Sequence, residues 1–416
     1  MTSTPSFPHP GFLTSEEPPL RGALKVEPED FAVEEIPAYP ASGEGTHLYL
    51  SIEKRGLTTR DAIRALAREL GRSERDFGYA GLKDARAVTR QRVSIEHVEP
   101  ERIAGFETSG LRVLGVERHG NKLKPGHLRG NRFEILLRGA DPSELERARR
   151  ILGLLAERGV PNAFGAQRFG RSGIGHLLGR ALLLGDAASF AQLWLTTAAP
   201  TDDEASVLAR ERCAAGAYGE VLAELPRGWR EERPLLEGLA AGLDPSRAIR
   251  RLDLSLLRFF VSAWQAALFQ RVLARRLTSC DVVRAGDIAF LHRNGACFLV
   301  EDELAEAPRA AAFEISPSGP LFGTALLRAQ RESGALEDAV LAEDGFDAER
   351  LASAGKLAPS GERRALRFAL GEPRVEADPE GLRFRFALAP GCYATTVLGE
   401  LTKDALGRAL ALPESE

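Results

Sequence analysis

A chain of 416 residues, 44% hydrophobic and 27% charged, is too long for one ordinary core and predicts two or three domains of a soluble globular enzyme. It has no run of 18 apolar residues, which excludes a membrane-spanning helix, and its four cysteines (Cys213, Cys280, Cys297, Cys392) lie too far apart for a disulfide framework or a zinc site. The net charge of −4 excludes a globally basic nucleic-acid binder, so any such role needs a local patch. Residues 1–22 carry five prolines without a basic or apolar signal region, and are expected to be a flexible leader. Phe31 to Ile36 and His47 to Ile52 alternate as strands do. Thr58 with Asp61 is a capping-box signal for a helix carrying Ile63, Leu66, Ala67 and Leu70 on one face, stopped at Gly71.

A β-rich run, Val88 to Ile95, follows, with further strands expected at Leu111 to Val116 and Phe133 to Leu137. Ser143-Glu144 opens a helix with Leu145, Ala148, Ile151, Leu152 and Leu155 on one side, closed by Gly159. The texture then changes. Beyond Pro161 the chain is rich in alanine and leucine, and its clearest helix is expected from about Leu254 to Leu277. Gly170 to Gly175 is glycine-rich but lacks a dinucleotide-binding context, and reads as a turn. Short strands are expected at Ile288 to Phe290 and Cys297 to Val300. After Gly361 the pattern returns to β, with Leu382 to Leu388 alternating cleanly. Strand-rich ends around a helix-rich middle predict an α/β (α+β) fold with a mixed sheet and one domain inserted into another.

Two stretches carry chemistry. From Arg118 to Arg132 there are five basic side chains (Arg118, Lys122, Lys124, Arg129, Arg132), two histidines (His119, His127) and no acid. Gly78-Tyr79-Ala80-Gly81-Leu82-Lys83-Asp84 places a carboxylate beside a lysine on a glycine-bounded turn between β-rich runs. Taken alone, such a pair is commonly a solvated ion pair at a loop tip.

Gly78 to Gln91 resembles the signature of the TruD family of tRNA pseudouridine synthases. So do Lys25 to Phe31 with Val33-Glu34-Glu35, Gly130-Asn131-Arg132-Phe133, Val160 to Gly170, and Ala389 to Leu398. Matches at Ile315 to Gly323 and Gly361 to Arg364 complete a series that keeps the family's order from residue 25 to about 403. The resemblance implies a pseudouridine synthase catalytic domain over 23–160 and 362–416, interrupted by a helix-rich insertion at 161–361. It implies isomerisation of a uridine in tRNA, at position 13, with Asp84 on the nucleophile position. It places Phe31, Asn131 and Tyr393 near the substrate base, with Phe133 beside Asn131.

The chemistry breaks the bond from C1′ to N1, turns the ring and rejoins it through C5. It has no redox change and demands no metal or organic cofactor; one carboxylate assists the cleavage. Lys83, Arg86 and Arg90 are the cations nearest Asp84 in sequence. An extruded uracil needs π-faces, for which Phe31, Tyr79, Phe133 and Tyr393 are candidates, though each also fits an ordinary core aromatic. Asn131 can both give and accept hydrogen bonds at the imide edge, and Lys83 completes the expected substrate-binding set. Arg118, Lys122, Lys124 and Arg129 are the candidates for RNA phosphates. The expected partner is tRNA, with no membrane, no obligate protein partner, a monomeric state and a cytoplasmic location. A non-catalytic tRNA-binding protein on the same fold is the alternative; a glycoside hydrolase would need a second acid beside Asp84.

Overall fold

The computed structural model describes residues 7–404, and the chain falls into two compact units. One comprises Thr14–Val160 with Phe368–Glu416, the other Met1–Leu13 with Pro161–Arg367. Residues 1–6 of the expected leader and 405–416 of the expected catalytic segment lie outside the described residues. In the first unit the chain forms β1 (Phe31–Pro37), β2 (His47–Arg55), α1 (Thr59–Leu70), β3 (Gly78–Tyr79), β4 (Val88–Glu96), β5 (Glu107–Thr108), β6 (Leu111–His119), β7 (Leu128–Arg138) and α2 (Leu145–Arg158). The second unit contains, among other helices, α3 (Gly175–Leu184) and α4 (Leu254–Arg276), with strands β8 (Ile288–Leu291), β9 (Cys297–Leu299), β10 (Ile315–Leu321) and β11 (Glu362–Ala365). Back in the first unit come β12 (Gly371–Asp378), β13 (Gly381–Leu388) and α5 (Ala394–Thr402).

Strands from both ends of the chain share one nine-stranded sheet, ordered β12-β13-β7-β1-β4-β2-β6-β5, with β3 paired to β4. It is mixed, because β1 and β4 run parallel while β1–β7, β2–β4 and β2–β6 are antiparallel. Alternation sends Leu48, Leu50 and Ile52 of β2 and Val93 and Ile95 of β4 to one face. There they meet Ile63, Leu66, Ala67 and Leu70 of α1. Thr58 caps that helix, accepting from the Asp61 amide at 3.1 Å while Asp61 answers the Thr58 amide at 3.2 Å. Register lines up Lys54, Thr89, Val33, Phe133 and Phe386 across β2, β4, β1, β7 and β13. Glu35, Asn131 and Leu388 form the neighbouring row.

The described part of the leader is not loose chain. The Thr14 amide donates to the Glu400 carboxylate at 3.0 Å, the Leu20 amide to the Leu401 carbonyl at 2.9 Å, and Leu20 is fully buried. Phe7 stacks on Phe169 inside the second unit, with ring centroids 5.2 Å apart. The expectation of a free segment weighed the prolines and missed the apolar anchors between them.

In the second unit, α3 and α4 pack nearly backbone to backbone. A Cβ on Gly179 would lie 2.0 Å from the Phe260 carbonyl oxygen and 3.0 Å from the Trp264 Cβ. Alanine is the better helix former by about 1 kcal/mol, so a loss on Gly179→Ala isolates the packing term. The expected result is a destabilisation of about 3 kcal/mol, at the upper end for overpacking. Urea denaturation measures it, and an unchanged midpoint would mean that the helices part freely.

Candidate active site

Between β3 and β4 the chain forms a loop whose outermost carboxylate belongs to Asp84, with a side chain 63% exposed. The Lys25 ammonium donates to its Oδ2 at 3.2 Å and sits 4.0 Å from the centre of the Phe31 ring. Lys25 thus bridges an aromatic face and the carboxylate. Phe31 meets Phe133 edge-on at 6.1 Å, and Phe133 stacks on Phe386 at 5.4 Å. These rings come from β1, β7 and β13, and pleating puts them on one face.

The loop's backbone is held from below by buried polar side chains. The Gln91 side-chain amide donates to the Gly81 carbonyl at 3.2 Å, and the Lys83 backbone amide donates to the Thr59 hydroxyl at 2.9 Å. Thr59 in turn donates to Gln91 at 2.9 Å. Lys54, fully buried, donates to the carbonyls of Asp84 at 2.7 Å and Lys83 at 3.3 Å. On the other flank, the Gly126 amide donates to the Ala80 carbonyl at 2.9 Å. Gly78 allows this approach, since a Cβ there would lie 2.3 Å from the Leu123 carbonyl oxygen.

Of the cations near Asp84 in sequence, Lys83 turns inward to Glu35 at 2.8 Å, and Arg90 pairs with Glu53 at 2.8 Å. Arg86 is exposed and has no ion-pair partner among the described residues. The cation that reaches Asp84 is Lys25, 59 residues away. Phe31 and Phe133 are only 3% and 7% exposed, so they form a floor rather than an open stacking surface. Tyr79 is half-buried and packs against the apolar cluster under α1. Asn131 lies beside Glu35 in register and carries a buried side-chain oxygen without a partner among the described residues. Tyr393, 47% exposed, immediately precedes α5 and follows the strand that pairs with Asn131.

The basic run is only partly available for phosphates. Arg118 pairs with Glu99 at 2.5 Å, and Lys122 donates to the Arg75 carbonyl at 2.8 Å. His119 packs on Tyr39 and Tyr49, and the Tyr39 hydroxyl lies 2.7 Å from Nδ1 of His127. The side chains of Lys124 and Arg129 are exposed and have no partner among the described residues.

Sequence reading gave no role to Lys25 or Lys54. Lys25 opens a quoted motif but sits far from Asp84 along the chain. The signal for Lys54 was present, since it falls on the apolar phase of β2 after Leu48, Leu50 and Ile52. Among the described residues no group of three or more His, Cys, Asp and Glu side chains could hold a metal ion, and no helix is long and apolar enough to cross a membrane.

The family model described as tRNA pseudouridine synthase D (TruD) matches residues 11–401. The chain is 48% identical over 393 residues to the tRNA pseudouridine synthase D of Geobacter metallireducens, covering 94% of this chain and 97% of that one. It is 40% identical to the corresponding protein of an Anaeromyxobacter species, covering 94% and 95%. Its fold is similar to the crystal structure of a Methanosarcina mazei protein assigned as tRNA pseudouridine synthase D, with a TM-score of 0.85 at 29% identity, covering 95% of this chain and 96% of that one.

Proposed function

This chain belongs to the TruD family of tRNA pseudouridine synthases and isomerises uridine to pseudouridine in tRNA; we propose that its target is the uridine at position 13 and that Asp84 carries the reaction. The observation that carries this reading is the open Asp84 carboxylate, held by Lys25 on a loop whose backbone is gripped from beneath. Asp84 assists cleavage of the C1′–N1 bond of an extruded nucleotide, the ring turns, and C5 bonds to C1′. The C5 hydrogen leaves as a proton and N1 gains one, so atoms balance without an oxidant or cofactor.

Lys25 orients the carboxylate over Phe31. The Asn131 oxygen, unpartnered among the described residues, is the natural acceptor for the uracil imide hydrogen, and the 47% exposed Tyr393 is the proposed stacking ring. Lys124 and Arg129, rather than Arg118 and Lys122, are the cations free to meet phosphates. The insertion expected at 161–361 is proposed to run on to Arg367, since β11 belongs to the compact unit Pro161–Arg367 and the chain re-enters the nine-stranded sheet only after it. The reading includes a monomer that needs no protein partner and acts in the cytoplasm, where its tRNA substrate resides.

Mapping pseudouridine in total tRNA from cells with and without this protein tests the proposal. Loss confined to position 13 is expected; loss at another position rejects the site, and an unchanged map rejects the activity in cells. Asn131→Ala is expected to slow turnover about 10- to 100-fold, the cost of one recognition hydrogen bond at a buried edge. Steady-state kinetics on tRNA transcripts checks this, and a wild-type rate would remove Asn131 from the base contacts.

A further inference from the structure

We propose that Lys54 is a positioning residue for the isomerisation: its buried ammonium grips the backbone of the Asp84 loop and sets where the carboxylate stands. This rests on the assignment of Asp84 above. Lys54 is 0% exposed, and its Nζ donates to the carbonyls of Leu57 at 2.6 Å, Asp84 at 2.7 Å and Lys83 at 3.3 Å. Three N–H donors meet three acceptors, which uses up an ammonium group. No carboxylate lies within ion-pair distance of Lys54 among the described residues, so the cation is buried without the usual compensation. An aliphatic residue would continue the apolar phase of Leu48, Leu50 and Ile52 at lower cost. What lysine adds is a tie between the turn ahead of α1 and the segment bearing Asp84. Lys25 holds the carboxylate itself from above, and Lys54 holds its backbone from below.

The charges around Lys54 tell how the grip responds to pH. Burial pushes the amine down to about 8, Asp84 and Asp61 oppose that fall, and Lys83 adds to it. The flanking strands oppose Lys54 with Thr89 on β4, whose buried hydroxyl lacks a partner among the described residues, and with Leu111 on β6, neither of them charged. Below pH 8 the ammonium supplies three donors. As pH rises through 8 the neutral amine keeps two, and its lone pair faces a carbonyl oxygen, so the hold on the loop weakens.

The test measures single-turnover tritium release from C5-labelled tRNA at saturating enzyme, from about pH 6 to 9.5, for wild type, K54R and K54M. Filter binding and melting curves accompany it. K54M is expected to slow the chemical step about 100-fold, as a misplacement near 1 Å does, with tRNA affinity within about threefold of wild type. Wild type should lose rate above pH 8, whereas K54R should recover at least about tenfold over K54M and stay level there. A K54M rate equal to wild type, or the same alkaline fall in all three proteins, overturns the proposal. If K54M does not fold, wild type against K54R decides, and a wild-type profile that is level from pH 7 to 9 overturns it. Asp84→Asn run alongside separates the two failures. Normal turnover by Asp84→Asn removes the Asp84 assignment and this proposal with it, while an inactive Asp84→Asn beside a normal K54M overturns the Lys54 proposal alone.

Discussion

Asp84→Asn is expected to reduce tritium release from C5-labelled uridine in tRNA by at least about 10⁴-fold, the scale on which an enzyme loses its reacting side chain. The substitution keeps the shape of the side chain, and its amide oxygen can still accept from Lys25. The grip on the loop uses the Asp84 backbone carbonyl, which the substitution leaves in place. An ion pair whose acid is 63% exposed contributes only about 0–1 kcal/mol to stability, so the melting temperature should barely move. The variant should also bind tRNA, because Lys124 and Arg129 lie elsewhere in the sequence. A folded, tRNA-binding Asp84→Asn with near-normal turnover would sink the assignment.

Breaking the buried pair beneath the site should have the largest effect on stability. The side chains of Lys83 and Glu35 are 6% and 2% exposed, and their charged atoms are 2.8 Å apart. Glu35 also accepts from the Arg92 amide at 3.3 Å. Lys83→Met or Glu35→Gln leaves one charge buried without its partner, which costs about 3–5 kcal/mol. The double variant Lys83→Met/Glu35→Gln should be appreciably less destabilised than the sum of the singles, since no lone charge is left behind. Urea denaturation of the four proteins gives the coupling directly. Additive single effects would mean that the pair is solvated in solution. Lys83, next to Asp84 in the sequence, thus pairs with Glu35 beneath the loop and not with the Asp84 carboxylate.

Local patterns made much of the fold legible. The period-2 run in β2 and the capping box of α1 were readable because each depends on neighbours within one element. β10 was not, since Ile315 to Leu321 contains Pro317, Gly319 and Pro320, which argue against a strand until the pairing with β8 and β11 is seen. Phe7, Leu13 and Leu20 were lost among prolines because burial of an isolated apolar residue depends on what folds over it.

At the site, the sequence by itself determined the family and the strands that carry Phe31 and Phe133. Motif order and alternation are one-dimensional quantities, and they survive without coordinates. Only the tertiary structure decided that Lys25 meets Asp84, that Lys83 turns to Glu35, that Tyr79 packs half-buried against the cluster under α1, and that Lys54 lies beneath the loop. Each of those outcomes depends on which long side chain reaches a given atom across the sheet, and alternation specifies a face without specifying the partner found there.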